Sequence, residues 1–136
     1  MAANTTPVFP ITPVVTVGKT LLTANTAKDG TGTVVTLYTA GANGSKLNGV
    51  QIAYTGTSVA TVLRLFVNNG ATPTTATNNS LYQSITIPAN TLSEVAAAVD
   101  INYPLSLTLP ANYTLLATIG TTIAAAIAVT ASGGDL

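Results

Sequence analysis

The amino-acid sequence predicts an all-β fold, an antiparallel β-sandwich or jelly roll of about eight strands with an extended N-terminal arm. Three observations lead there. Apolar and polar residues alternate at a period of two in several segments, the pattern of a strand with one buried face. Thr, Val and Ile supply most of those segments, and their branched side chains suit a pleated surface. Gly, Asn and Pro punctuate the chain at short intervals, without the alternation of strands and helices that a parallel sheet requires.

The arm comes first. Residues 1–18, "MAANTTPVFPITPVVTVG", carry Pro7, Pro10 and Pro13 at a spacing of three. Each proline fixes φ and lacks an N–H, which favours extended or polyproline chain. Val8, Phe9, Ile11 and Val14 lie between and beside these prolines and want a surface to rest on. Two readings stand: a frayed tail, or an arm that reaches onto a neighbouring subunit or partner through those four residues.

Residues 19–136 read as a single domain, long enough to bury one core. Strands are expected at 19–25, 32–40, 45–56, 59–68, 80–87, 93–101, 112–119 and 122–131. In "VATVLRLFVN" (59–68), Leu63, Leu65 and Val67 share one face and Arg64 and Phe66 the other. In "SLYQSITI" (80–87), Leu81, Ile85 and Ile87 alternate with Tyr82, Ser84 and Thr86. "TLSEVAAAV" competes as a short helix near 92–99, because Thr91 and Glu94 stand at capping-box spacing before an alanine run. Asn43-Gly44 and Asn69-Gly70 offer the dipeptide that best tolerates positive φ in a hairpin turn. "LNGV" (47–50) suggests a bulge, and Pro-Ala-Asn at 88–90 and 110–112 suggests two similar corners.

Charge is the most telling feature of the composition. Four basic and four acidic residues make 6% of the chain, against about 25% in an ordinary soluble domain. A surface of roughly 6,600 Å² then carries about one charge per 800 Å², which is what one partner contributes to a standard interface. Zero net charge also removes the repulsion that keeps molecules apart. Such a surface suits a protein that is covered by partners.

Several chemistries lack their residues. The chain has no cysteine and no histidine, which removes disulfides, thiolate metal sites, the commonest general base and the usual zinc ligand. The acids stand at 29, 94, 100 and 135, and no calcium loop or metal-ligand spacing is present. "VGKT" (17–20) imitates a phosphate-binding loop, but Pro13 occupies the position of its first glycine. Lys19, Lys28, Lys46 and Arg64 are scattered singly, which does not suit nucleic acid. The uncharged stretch 113–134 is broken by Gly120 and several threonines and is not read as a membrane span. No cofactor, metal or catalytic residue is expected. Five tyrosines could stack on sugars, though strand aromatics more often serve cores or interfaces.

Four motifs carry a family resemblance: the turn Asp29-Gly30-Thr31-Gly32, the loop Ala40-Gly41-Ala42-Asn43-Gly44, the corner Pro110-Ala111-Asn112, and Gly133-Gly134-Asp135 near the C-terminus. Over roughly residues 21–136 the chain resembles small tailed-phage virion proteins of the capsid decoration (cement) type. The resemblance implies a β-sandwich or jelly roll, a homotrimer on the capsid surface, and the major capsid protein as partner, with no catalytic residues to transfer. The expected function is a non-enzymatic structural virion protein that binds neighbouring capsid subunits. The alternative is a receptor- or glycan-binding module of a phage tail or baseplate.

Overall fold

The computed structural model describes residues 9–136, in which nine strands form. They are β1 (Thr12–Val15), β2 (Thr20–Leu21), β3 (Val35–Thr39), β4 (Ser45–Tyr54), β5 (Thr61–Asn68), β6 (Asn79–Ile87), β7 (Ile101–Leu109), β8 (Thr114–Ile119) and β9 (Ile127–Asp135). All strand pairings are antiparallel. One sheet, here sheet A, runs β1-β9-β4-β7, with β2 beside β9 on the same edge as β1. The other, sheet B, runs β3-β8-β5-β6.

This order is a long hairpin rolled up on itself. The β5–β6 hairpin forms the tip, and moving outward along both arms β4 pairs with β7, β3 with β8, and β2 with β9. Successive pairs alternate between sheets, and rolling adds the contacts β5–β8 and β4–β9. The result is a jelly-roll sandwich, as the sequence predicts.

The core lies between the sheets and is filled by the inward residues of each strand. Leu47, Val50, Ile52, Leu105, Leu109, Ile127 and Val129 from sheet A meet Leu63, Leu65, Ile85, Ile87, Leu115, Ala117 and Ile119 from sheet B. The alternation expected in 59–68 holds: Leu63, Leu65 and Val67 turn inward, while Arg64 and Phe66 turn outward. Phe66 is nevertheless fully buried, as is its outward neighbour across the ladder, Leu116. Their cover is the connection between β2 and β3, residues 22–34. It leaves β8 at Ile119, reaches Asn79 on the far edge strand, and returns to Ala117. Asn25 braces it by donating to the carbonyls of Thr31 and Thr33 at 2.6 and 2.9 Å. Asn79 braces its tip by donating to the carbonyl of Asp29 at 3.2 Å.

Several expectations need correction. Of the strand expected at 93–101 only Ile101 is in a strand; 91–100 is an exposed loop, neither strand nor helix, and the strand begins at Ile101. Val95 and Val99 are 96% and 79% exposed, so the alanine run has no surface against which a short helix could be stabilised. Conversely β7 was hidden by Pro104, which the sheet tolerates because β7 is an edge strand. The strand expected at 19–25 shrinks to β2, and that expected at 122–131 starts and ends later, as β9. Asn43-Gly44 does not close a hairpin: it carries the chain from sheet B to sheet A, with Gly44 alone at positive φ. Asn69-Gly70 does begin the β5–β6 connection, but that loop is long and contains a 3-10 turn at Ala76–Asn78. The two Pro-Ala-Asn corners also differ. Asn112 sits at φ 65° in a tight turn, whereas Asn90 pairs with Ser58 through two 2.9 Å backbone hydrogen bonds. The bulge at "LNGV" is present, between Leu47 and Gly49.

The tightest backbone approach falls on β9. A Cβ on Gly133 would stand 2.1 Å from the Lys46 carbonyl oxygen, and one on Gly134 would stand 2.8 Å from that of Thr12. Gly133→Ala therefore meets a wall of main chain that no rotamer change relieves. The substitution is expected to lower unfolding free energy by about 1–3 kcal/mol, read from the denaturant midpoint at unchanged slope. A loss below about 0.5 kcal/mol, the range of ordinary surface changes, would show that β4 and β9 can separate freely.

Candidate interaction surface

The segment expected to act as an arm is divided by the structure. Thr12–Val15 pairs with β9 of its own chain, from Thr12 opposite Asp135 to Val15 opposite Ser132. Ile11 donates its N–H to Asp135 at 2.7 Å and Thr16 to Ala131 at 2.9 Å, extending the ladder at both ends. Of the four apolar residues singled out, Val14 turns inward and packs against the core. Ile11 and Phe9 remain 81% and 71% exposed, and Val8 lies outside the described residues. Val15 and Val17, which the sequence reading passed over, are 63% and 81% exposed. The alternation of β1 explains the split: with Val14 inward, Ile11, Val15 and Val17 form one outward stripe.

That stripe borders the outer face of sheet A. Crossing the sheet, the outward residues are Thr130 and Ser132 of β9, Lys46 and Gln51 of β4, and Asn102, Ser106 and Thr108 of β7. The five strands of this sheet hold two charged residues, Lys46 and Asp135, and Asp135 turns away to bond Tyr38 and Ser45. One cation is left on a face of small hydroxyls, amides and an apolar rim. Hydroxyls and amides stay wettable but shed water at less cost than charges. Both edges of this sheet are blunted by proline, Pro13 on β1 and Pro104 on β7, which discourages another chain from adding a strand. Contact through the face is the route left open.

The densest polar cluster is Tyr38, Ser45 and Asp135. The Tyr38 hydroxyl donates to the Asp135 carboxylate and lies 3.0 Å from Ser45 Oγ, which also donates to Asp135 and accepts the Gly41 N–H at 3.1 Å. These groups join β3 in sheet B to β4 and β9 in sheet A. Ser45 is fully buried, so the cluster acts as an internal clamp with no room for a substrate at its hydroxyl. The Ser45 hydroxyl, then Tyr38, hold the Asp135 carboxyl below its ordinary value, against partial burial, which works the other way. Burial first, then the Asp135 carboxylate, push the Tyr38 phenol up. Asp29, in its turn at the exposed loop, is held low by the Thr31 hydroxyl and N–H.

The remaining candidates are dispersed. Glu94 and Asp100 both stand in the exposed loop 91–100. No group of three metal-ligating side chains occurs among the described residues, and no helix there is long and apolar enough to cross a membrane. Tyr54, Tyr103 and Tyr113 pack against the core and Tyr38 is buried, leaving Tyr82 as the most exposed of the five. The tyrosines thus assemble no common stacking platform.

Acid sensitivity tests the clamp. Asp135 returns to about 3.8 on unfolding and lies lower in the fold, so its contribution is complete above about pH 4 and lost as pH falls through the folded value. Asp135→Asn is expected to flatten the decline of unfolding free energy as pH falls below about 4. A variant as acid-sensitive as the parent would mean the clamp gains nothing from its charge. Tyr38 works at the opposite limit, its contribution intact below 10 and lost as pH rises beyond that value. The chain matches no protein-family model, and no curated protein or solved structure is significantly similar to it.

Proposed function

We propose that this chain is a non-enzymatic structural virion protein that decorates a phage capsid and stabilises it by bridging neighbouring copies of the major capsid protein. The observation that carries the reading is the outer face of sheet A, nearly uncharged and rimmed by Ile11, Val15 and Val17. The two faces of the sandwich are treated differently. The outer face of sheet B is partly roofed by the chain's own residues 22–34, while among the described residues the outward side chains of β4 and β7 in sheet A are exposed. An exposed apolar rim on a monomer invites a partner. Broad contact without strong individual bonds is what a cement needs, because apolar burial at about 25 cal/mol per Å² accumulates over many copies. A trimeric arrangement on the capsid surface follows from the family resemblance and belongs to the same proposal.

The first experiment is the copy number of the protein in purified particles, by quantitative mass spectrometry against the major shell protein. Decoration requires a simple ratio to the shell subunits, whereas a handful per particle would move the protein to the tail. The surface is tested by the combined variant Ile11→Asp, Val15→Asp and Val17→Asp. These exposed positions should leave thermal stability nearly unchanged while weakening shell binding by about tenfold or more, since three apolar contacts become buried charges. Undiminished binding by a folded variant would remove the β1 rim from the interface.

A further inference from the structure

We propose that Arg64 is a carboxylate-binding residue, holding a carboxylate group at an open, shallow depression on the outer face of sheet B. The inference is independent of the covering of sheet A and concerns the opposite side of the sandwich. Arg64 is the chain's only arginine, and the alternation of β5 turns it outward. Its side chain does not stand free in water. The guanidinium lies on the backbone at Gly120, where an added Cβ would come within 3.2 Å of Nη1. It borders an open depression of about 340 Å³ shared with Thr61, Val62, Thr86, Gly120 and Thr121.

The guanidinium is half-buried, and no described residue accepts a hydrogen bond from it. Among the described residues it makes no ion pair and donates no hydrogen bond, because all four acids are placed elsewhere. Asp29 serves its own turn at Thr31, Asp135 serves the inter-sheet clamp, and Glu94 and Asp100 stand in the loop 91–100. The same part of the sheet leaves another polar group unpaired: Thr118, in cross-strand register with Arg64, is fully buried and its hydroxyl has no partner. A guanidinium stripped of part of its water and given no acceptor retains several directed N–H donors in a planar fork. The group that answers that fork is a carboxylate, accepting two parallel hydrogen bonds.

The lining narrows the ligand class. No lysine borders the depression, so one positive charge faces the occupant, which matches a single carboxylate better than a phosphate dianion. Thr86 supplies a further hydroxyl and Val62 an apolar wall. Thr61 is already committed, since its hydroxyl accepts the Thr121 N–H at 3.0 Å and so fixes the rim. The volume is at the lower end for small-molecule sites and admits an acidic side chain or a small free acid.

Backbone-amide NMR of the intact chain separates these sources. Three probes are titrated: an acetyl-Gly-Glu-Gly amide, its Gln counterpart, and sodium acetate. The glutamate peptide should shift Val62, Gly120 and Thr121 saturably at millimolar concentration, and the glutamine peptide at least tenfold more weakly. A glutamate peptide that binds several-fold tighter than acetate identifies a side chain on a polypeptide as the source, and equal binding identifies a free carboxylate. Arg64→Gln should abolish the shifts, and Arg64→Lys should retain them weakened, with both variants matching the parent spectrum elsewhere. Equal shifts from the glutamine peptide, shifts that survive Arg64→Gln, or no saturable shift at these amides would each overturn the proposal.

Discussion

Sheet A depends on a close approach of backbones along β9. This strand is flanked by β1 on one side and β4 on the other, and at Gly133 and Gly134 neither neighbour leaves room for a Cβ. The bulge between Leu47 and Gly49 stands directly opposite, so β4 bends where β9 has no side chains to hold it away. One step further, Asp135 turns inward and ties the end of β9 to Ser45 on its own sheet and to Tyr38 on the other. Two glycines, a bulge and an acid therefore decide together how the roll closes. Because β9 is the last strand and pairs with the first two, this closure joins segments more than one hundred residues apart.

With the roll closed, the scarcity of charge acquires a direction. Sheet B has three large outward apolar groups; the chain spends residues 22–34 on covering Phe66 and Leu116, while Leu81, the cross-strand partner of Phe66, stays 51% exposed. That roof is held by amide side chains, Asn25 and Asn79, rather than by ion pairs. Among the described residues, sheet A has no comparable roof. Its outer face carries hydroxyls, amides and Lys46, with apolar residues at the β1 rim. Uncharged strands are thus used in two ways, covered from within on one side and left coverable on the other.

What the sequence made legible was local. The period of two in 59–68 placed Leu63, Leu65 and Val67 on one face of β5 and Arg64 and Phe66 on the other, and Asn48-Gly49 marked the β4 bulge. Most of the failures involve information from distant chain. Pro104 argues against a strand unless β7 is known to lie at an edge, and the alternation of 93–101 looks like a strand unless it is known to have nothing to pack on. Asn43-Gly44 specifies a turn but not which sheets it joins. At the surface, the Pro-rich spacing drew attention to Phe9 and Ile11 but treated Val14 as their equal, because only the pairing with β9 turns it inward. Val15 and Val17 could have been found by extending the same alternation from Ile11 through the strand. The clamp of Tyr38, Ser45 and Asp135 left no local signal, since its members come from three strands.

The edges bear on how the proposed partner would approach. An open sandwich usually risks adding strands at its edges, where unpaired N–H and carbonyl groups line up. Here β1 is short and contains Pro13, β2 has two residues, and β7 contains Pro104, so both edges of sheet A are interrupted. Strand addition would also extend without limit, since each new edge offers the same template. A face of small polar groups bounded by an apolar rim offers a finite contact instead, and its area is fixed by the width of four strands. The distribution of proline and charge on sheet A thus disfavours growth through the edges and leaves the broad face as the surface on which another protein can settle.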